Sequence, residues 1–403
     1  MTAPDRSGTD AANRPLDGVR VLDCTQMLSG PFATQLLADL GAEVVKIERP
    51  EVGDITRAVG PTVGDSELTG YFASLNRGKH SVELDLSTPP GAAAFERLAE
   101  EADVVIENYR PGTMDEWGLG YDDLREVAPG LVYCSISGFL EGPNRDVAAF
   151  DMVVQALSGS MSVTGEGDGP PARPGIPIGD ICAGMYAALC VVTALSVRDE
   201  EGGQRIEVPM FEGLVSWLAE RAGRTFATGE PYPRMGTDHP SLAPYRAFET
   251  ADGGWFAVAV GSEGTWDDFC AAVERPDLAD DARFAANDDR VEHREELTAE
   301  LKPLFAERTA AEWFELFREE GVPGAPIRDT VEVFEDPQLE DSDVTSDLSL
   351  GGVDLPFVEF PAQFSRSETG TDRTPPRLGA DTDAVLSEVL DDDERRAVRD
   401  GDS

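Results

Sequence analysis

Lysine is the residue that this sequence most lacks. Only Lys46, Lys79 and Lys302 occur among 403 residues, and arginine supplies the rest of the 33 basic side chains, against 78 acidic ones. The formal net charge of -45 is spread along the chain and is not confined to one tail. Because such a surface repels phosphate groups, neither nucleic acid nor an anionic membrane is expected as a partner.

The dispersed negative charge also carries an expectation about the surroundings. In molar salt a Debye length of roughly 3 Å screens the repulsion between surface carboxylates. We therefore expect a protein of the cytoplasm, in a high-salt organism. The alternative is an acidic protein of an ordinary cell, where low salt would leave the compact state strongly self-repelled.

Paired cysteines, clustered histidines and long apolar runs are also missing. The five cysteines form no CxxC pair and four lie in apolar runs, as buried thiols of a reducing compartment do. The three histidines (His80, His239 and His293) are scattered, so no metal site is expected. No run of 18 or more apolar residues occurs, which predicts no membrane span. Residues 1–15 lack an apolar segment and are predicted to be a disordered leader.

What the chain does contain first is an alternation of strand-like and helix-like segments. Buried strands are predicted in VRVLDCT, EVVKIERP, DVVIENY and LVYCSISGF, with helical segments between them. This order predicts an α/β fold with a Rossmann-like parallel sheet. Ligands of such sheets bind beyond the carboxyl ends of the strands. Polar residues lie at the carboxyl ends of four of these strands in succession: Asp23 with Thr25, Glu48 with Arg49, Asn108 to Arg110, and Ser135 with Ser137.

The remainder of the chain predicts a second, smaller domain. The segment ICAGMYAALCVVTALSVRDEE is an almost wholly apolar helix and should be buried. EGLVSWLAERAGRTFATG is predicted to be one helix leading away from the first domain. A strand pair around YRAFETADGGWFAVAV and amphipathic helices after it indicate a small α+β domain over 225–325. The large domain is then expected to comprise 16–220 and 330–403.

Three aspartates are candidates for chemistry. Asp168 lies in the loop GEGDGPP, where glycines allow a close approach to the backbone and prolines stiffen the chain. A carboxylate held in this way can attack a thioester, although Asp-Gly is also common in plain turns. Asp180 and Asp151 each begin an apolar helical segment, where an aspartate most often serves as a cap. From spacing alone, structural roles are favoured for all three.

A set of longer motifs changes that balance. They include LSGPFATQLLADLGAEVVKIERP, ADVVIENYRPGT, QALSGSMSVTGEGDGPP and LGADTDAVLSEVL, and they run from about residue 15 to 390. In these motifs the chain resembles the class III CoA-transferase (CaiB/BaiF) family, which includes formyl-CoA and carnitine CoA-transferases and α-methylacyl-CoA racemases. The resemblance implies a homodimer whose two chains interlock, and Asp168 as the nucleophile of CoA transfer. It implies a CoA thioester as substrate and no permanently bound cofactor or metal.

The resemblance also implies a CoA site along the sheet edge. Its expected members are Leu28, Ser29, Arg49, Leu84, Asn108, Tyr109, Arg110 and Ser137, with Leu84 at the adenine. One departure is Glu116, which stands where transferases often have a phosphate-binding arginine. A second is GTDHPSLAPYRAF, which replaces the glycine-rich loop of the formyl-CoA branch and argues against formyl or oxalate specificity.

Two other functions remain open beside CoA transfer. A racemase needs a base on each face of the α-carbon, and at the position of the family's histidine this chain has Phe150. A non-catalytic acyl-CoA binder is the other alternative, and the intact Asp168 loop argues against it. The expected reaction moves CoA from an acyl-CoA such as succinyl-CoA to a small carboxylic acid, with mesaconate or another C4–C5 dicarboxylate favoured. Arg173 is a candidate partner for a second carboxylate, and the role of His239 stays open.

Overall fold

A computed structural model describes residues 14–342 and 344–400. Nearly all of the predicted leader, residues 1–15, lies outside the described part. The chain forms two compact units. The first comprises the residues up to 160, 174–220 and those from 337 onward, and the second comprises 161–173 and 221–336.

The described elements follow one another as strands and helices of ordinary length. The strands are β1 Arg20–Cys24, β2 Glu43–Glu48, β3 Lys79–Glu83, β4 Val104–Glu107, β5 Val132–Ser137, β6 Arg205–Pro209, β7 Tyr245–Glu249, β8 Trp255–Ala259, β9 Gly324–Pro326, β10 Thr345–Leu350 and β11 Val353–Val358. The helices are α1 Ser29–Asp39, α2 Gly70–Asn76, α3 Pro89–Glu100, α4 Thr113–Glu116, α5 Tyr121–Val127, α6 Asp151–Leu157, α7 Ile178–Glu201, α8 Met210–Ser216, α9 Ala219–Thr228, α10 Glu263–Ala272, α11 Pro276–Asp280, α12 Asn287–Glu292, α13 Arg294–Phe305, α14 Ala310–Glu320, α15 Pro337–Glu340, α16 Thr382–Val389 and α17 Asp392–Asp400. Short 3-10 helices occupy Ile55–Ala58 and Ser160–Val163.

The first unit is built on a six-stranded parallel sheet in the order β3-β2-β1-β4-β5-β6. This is the order of a Rossmann fold, in which the direction of winding changes between β1 and β4. The strands are apolar and buried because helices cover both faces of the sheet, and two clusters of buried side chains form the core. The predicted α/β fold with a Rossmann-like sheet is confirmed.

The long apolar helix α7 differs from its prediction in one respect. It packs along α1, where Gly184 permits the approach because a Cβ there would lie 2.6 Å from the carbonyl oxygen of Ser29. Its opposite face is not covered, since Met185 and Leu189 are 52% and 61% exposed. By length and composition alone the helix could cross a bilayer, although the core helix of a soluble protein passes the same test, so the absence of a membrane span stays a prediction.

The second unit has its own core around the three-stranded antiparallel sheet β7-β8-β9. Aromatic side chains fill it, with Phe305 stacked on Phe248 at 4.5 Å and close to Trp313 at 4.7 Å. Helix α14 begins with a capping box between Thr309 and Glu312 and ends at Gly321 in the left-handed region. The small α+β domain was predicted over 225–325. The largest difference lies in 161–173, the Asp168 loop, which belongs to this unit although the prediction assigned it to the large domain.

The segment predicted as one helix over EGLVSWLAERAGRTFATG is divided in two. Helix α8 ends at Ser216, and α9 begins at Ala219, whose φ of 39° breaks the helical path. The tail contains the antiparallel hairpin β10–β11, which the sequence did not predict. It precedes α16 and α17.

Candidate active site

The sheet order brings the predicted strand ends together. Strands β2, β1, β4 and β5 are neighbours and parallel, so the residues after them share one edge of the sheet. Within the sheet, Asp23 is in register with Lys46 on one side and Ile106 on the other. The polar groups at or near this edge include one fully buried set and one exposed set.

The buried set is an ion network that the sequence analysis did not predict. Asp23, Lys46, Asp54 and Lys79 have no side-chain exposure, and Lys46 Nζ lies 3.1 Å from Asp54 and 3.9 Å from Asp23. Lys79 Nζ lies 3.1 Å from Asp23. Burial alone would raise the pKa of Asp23, but the two ammonium groups hold it below its usual value. The two positive and two negative charges therefore balance within the protein interior.

This network fixes the loop that joins β1 to α1. Lys46 Nζ donates to the carbonyl oxygen of Thr25 at 2.8 Å, and Asp54 Oδ1 accepts from the amide of Met27 at 3.2 Å. The carboxamide of Asn108 pairs with both backbone groups of Gln26, each at 2.8 Å. Met27 itself has a positive φ of 67°, a conformation that these contacts hold. The backbone that leads into Leu28 and Ser29 is thus preorganised.

The exposed set at the same edge is cationic. Arg49 directly follows β2 and Arg110 follows Asn108 and Tyr109 after β4, and both side chains are exposed. Neither guanidinium forms an ion pair within residues 14–342 and 344–400, in a protein of net charge -45. A guanidinium left open in this way suits a phosphate, to which it can donate two parallel hydrogen bonds.

The other predicted CoA contacts are more enclosed. Leu84 is 2% exposed and packs in the core with Phe95, so little of its side chain faces outward. Tyr109 is half-buried, with its ring 5.3 Å from that of Trp117. Ser137 is buried and its hydroxyl donates to the carbonyl oxygen of Phe139 at 3.0 Å. Glu116 is exposed at the end of α4, so its carboxylate adds negative charge near this edge.

The two other candidate aspartates lie together at the start of α7. Asp151 Oδ1 accepts from the amide of Gly179 at 2.9 Å, so a residue of α6 caps α7. Asp180, expected as a cap, lies instead in the first turn. Burial raises the pKa of Asp180 to about 7, the charge of Asp151 adds to the rise, and a hydrogen bond from Ser29 opposes it. Burial and the charge of Asp180 also raise the pKa of Tyr71.

Phe150 stands immediately before this cluster and is 68% exposed. It is the N-cap residue of α6 and contributes no side-chain hydrogen bond there. The cluster therefore contains the carboxylates of Asp151 and Asp180 and the phenol of Tyr71, and position 150 adds no imidazole to it. A second base of the kind that a racemase needs is not supplied by Phe150.

Asp168 lies in a tight turn of the second unit. The amide of Gly169 donates to the carbonyl oxygen of Glu166 at 3.0 Å, which closes the turn around Gly167 and Asp168. Asp168 is exposed, and within the described residues its carboxylate accepts no hydrogen bond. A carboxylate presented in this manner at a fixed turn is free to act as a nucleophile.

The turn is held by a segment more than sixty residues further along the chain. Arg234 Nη2 donates to the carbonyl oxygen of Gly169 at 2.8 Å, and the amide of Gly236 donates to that of Gly165 at 2.9 Å. Gly236 has a φ of 59°, and a Cβ there would lie within 2.9 Å of the Glu166 carboxyl group. These contacts give the Asp168 loop a defined position in the second unit. Arg173, at the end of the loop, is exposed.

Comparisons with known proteins agree with this architecture. The profile of CoA-transferase family III matches residues 16–382. The human protein named succinyl-CoA:glutarate CoA-transferase is 38% identical over 95% of this chain and 87% of its own length. The Haloarcula hispanica protein named succinyl-CoA:mesaconate CoA-transferase is 41% identical over 88% of this chain and 90% of its own. A crystal structure of a CaiB/BaiF family protein from Brucella suis superposes with a TM-score of 0.87 at 36% identity, covering 94% of this chain and all of that one.

The chain belongs to CoA-transferase family III, the CaiB/BaiF family, and is an enzyme of that class. The resemblance stated from the sequence motifs is thereby confirmed. Sequence reasoning did not find the Lys46–Asp54 pair or the Asp151 cap of α7. The sequence contained one signal for the buried pair: two of the three lysines lie on a predicted strand or next to one.

Proposed function

We propose that the protein transfers CoA from succinyl-CoA to a short dicarboxylic acid, with Asp168 as the covalent nucleophile. The observation that carries this proposal is the exposed Asp168 carboxylate on a turn anchored by Arg234 and Gly236. The choice of substrates is supported by relatives named for succinyl-CoA with glutarate, mesaconate or D-citramalate. Glutarate and mesaconate are therefore the first acceptors to test.

The proposed reaction proceeds in four exchanges at three carbonyl carbons, those of the donor acyl group, of Asp168 and of the acceptor. The Asp168 carboxylate attacks the acyl-CoA carbonyl, and the thiolate of CoA leaves to give a mixed anhydride. The thiolate attacks the Asp168 carbonyl, which releases the donor acid and forms an aspartyl-CoA thioester. The acceptor carboxylate then attacks this thioester, and the expelled thiolate attacks the new acyl carbon. Asp168 is regenerated as a carboxylate, and no net proton or electron is consumed.

Each exchange passes through a tetrahedral oxyanion that the turn can stabilise. The amide of Gly169 is already used in closing the turn. The amides of Gly167 and Asp168 donate no hydrogen bond within the described residues, so they are the donors available for an oxyanion. Preorganised backbone donors of this kind act without reorganisation during the reaction. The chemistry needs no metal or redox cofactor.

The CoA substrate is assigned, within the same proposal, to the sheet edge of the first unit. The open guanidinium groups of Arg49 and Arg110 would take the phosphates. The fixed backbone at Leu28 and Ser29 would contact the nucleotide or pantetheine, beside Asn108. Leu84, Tyr109 and Ser137 complete the proposed lining, with Leu84 limited to the small part of its side chain that faces outward.

A homodimer and a high-salt cytoplasm belong to the proposal as well. Met185 and Leu189 on α7 and Phe150 and Met152 at α6 are each more than half exposed, and a second copy of the chain would cover such apolar surface. The net charge of -45 supports a high-salt setting, and neither nucleic acid nor a membrane is proposed as a partner.

The covalent intermediate provides the decisive experiment. The protein is incubated with succinyl-CoA in the absence of an acceptor, and its intact mass is measured. We expect a gain of the mass of one CoA less one water, for a thioester on Asp168, and the loss of this adduct when glutarate is supplied. The Asp168→Ala variant should remain folded, carry no adduct and lose more than about tenfold in kcat, at least 1.4 kcal/mol of transition-state stabilisation. An active Asp168→Ala enzyme would overturn the assignment, and Glu166→Gln, in the same turn, is the matched control.

α-Methylacyl-CoA racemisation is the second candidate, because Asp180 has the pKa near 7 that a general base requires. It ranks below CoA transfer, since Phe150 supplies no partner base. A non-catalytic acyl-CoA binder ranks third. Labelled succinate exchanges into succinyl-CoA only if the protein is a transferase. This exchange therefore distinguishes a CoA-transferase from a non-catalytic binder.

A further inference from the structure

The second unit contains a concentration of arginines that is unusual for a protein of net charge -45. Arg246 of β7 and Arg294 of α13 both approach a single carboxylate, that of Asp238, at 3.5 and 3.4 Å. Besides partial burial, the positive charge of Arg221 in α9 lowers the pKa of His239, and so does that of Arg294. Arginines from three separate elements thus converge on one short segment, Asp238 and His239.

The hydrogen bonds of this cluster are incomplete. The Nε atom of Arg246 is shielded from water and has no hydrogen-bond partner among the described residues, and the Nη1 atom of Arg294 has only its ion pair with Asp238 at 3.4 Å. Arg246 makes one clear side-chain hydrogen bond, from Nη1 to the hydroxyl of Thr298 at 3.0 Å. A buried donor without an acceptor is costly. The two side chains remain 25% and 16% exposed, so an anion can still approach them.

His239 adds a neutral donor to the same place. Its Nδ1 atom accepts from the amide of Ser241 at 3.1 Å, so that nitrogen carries no proton and the neutral ring is protonated on Nε2. Partial burial lowers the pKa of His239, and the charges of Arg221 and Arg294 lower it further. The segment therefore offers an N–H group beside the guanidinium groups.

The same segment is the one that holds the catalytic turn. Gly236 bonds to Gly165 of the Asp168 loop, and Thr237 accepts from the amide of Ala247 on β7. Asp238 and His239 follow directly. Because an extended chain spans at most about 3.6 Å per residue, the Cα of His239 lies within about 11 Å of that of Gly236. The segment on which the arginines converge therefore directly follows the contact that holds the Asp168 turn.

We propose that Arg246, Arg294 and His239 bind the distal carboxylate of the acceptor dicarboxylic acid while its other carboxylate reacts at Asp168. Asp238 orients the two guanidinium groups and offsets part of their charge. Glu166 is the other carboxylate beside this segment, since a Cβ at Gly236 would lie within 2.9 Å of its carboxyl group. The proposal deepens the proposed function by naming how a diacid is distinguished from a monoacid.

The test compares glutarate with pentanoate, which has the same chain length but one carboxylate. For Arg294→Gln we expect kcat/KM for glutarate to fall about ten- to hundredfold, the effect of losing a charge-assisted hydrogen bond. The kcat/KM for pentanoate should change less than about twofold. Arg246→Gln should show the same selectivity, and Arg294→Lys should recover part of the glutarate activity. Arg318→Gln, an exposed arginine of α14 in the same unit, is the matched control.

A binding measurement separates this inference from the proposed reaction. Calorimetric titration of the full chain with glutarate, at fixed KCl, should show binding that Arg294→Gln weakens and Arg318→Gln does not. If glutarate binds in this way but CoA is transferred to neither acid, the site stands and the proposed reaction fails. Equal losses for glutarate and pentanoate, or equal competition by inorganic phosphate, would overturn the site. Thermal unfolding of each variant shows whether the substitution has only damaged the fold.

Discussion

Lys46 provides the sharpest test of how the sheet edge is stabilised. The variant Lys46→Met keeps most of the volume of the side chain but removes its ammonium group. That group contacts the carbonyl oxygen of Thr25 at 2.8 Å and Asp54 at 3.1 Å, with no exposure to water. Breaking a buried pair by removing one partner costs about 3–5 kcal/mol, because the remaining carboxylate is left without compensation. We therefore expect Lys46→Met to lower the free energy of unfolding by about that amount.

A second variant identifies the cause. In Lys46→Met with Asp54→Asn, the uncompensated charge of Asp54 is gone, while the Asn side chain can still accept from Met27 and Thr56. The double variant should therefore be more stable than Lys46→Met alone. Asp23 retains Lys79 in both variants, so it contributes little to the difference.

The assay is urea unfolding followed by circular dichroism, at about 1 M and about 3 M KCl. Because the pair is buried, its contribution should be nearly the same at both salt concentrations. Lys302→Met, at an exposed position of α13, is the control for loss of a lysine. A Lys46→Met protein within about 1 kcal/mol of wild type, or a double variant no better than the single, would refute the reasoning.

Three further predictions concern the charge and the remaining aspartates. With a net charge of -45, activity and any dimer should require molar KCl and decline on dilution, and equal stability at about 0.1 M and about 3 M salt would contradict the high-salt proposal. A 2-methylacyl-CoA incubated with the enzyme in D₂O should gain no α-deuterium, because Phe150 is not a base; incorporation at turnover rates without free acid would make Asp180 catalytic. The raised pKa of Asp180 means that the native state retains a proton that the unfolded state has lost, so this residue costs stability as the pH rises from about 4 to about 7. Asp180→Asn should therefore gain on the order of 2 kcal/mol over wild type at pH 8 and much less at pH 5, as measured by unfolding at both pH values.

The parallel sheet could be predicted because its central strands are apolar runs between amphipathic helices. Strand β3 was missed since Lys79 and Ser81 make its sequence look polar, although both side chains are buried in the structure. The hairpin β10–β11 was missed because its strands are acidic and contain Pro356. The break before Ala219 depends on one backbone angle, which an apolar pattern does not encode.

The candidate site was likewise predictable only in part. Motifs identified Asp168, Arg49 and Arg110 by residue type, and the structure shows all three exposed. The contacts that hold them were not predictable, because they join distant parts of the chain. Arg234 reaches the Asp168 turn across 65 residues, and Asp151 caps a helix 28 residues later. Asp180 was expected to be that cap because proximity in sequence favoured it.

The burial of Lys46 and Lys79 has a practical consequence for anyone handling this enzyme. Amine-reactive reagents need an accessible, deprotonated ε-amino group, and two of the three lysines expose none of their side chain. Lys302, on an exposed position of α13 in the second unit, remains the accessible lysine of the three. The native protein thus offers a single ε-amine for attaching a fluorophore or a surface tether. The same reagents applied during unfolding would mark the opening of the sheet by the appearance of two further sites.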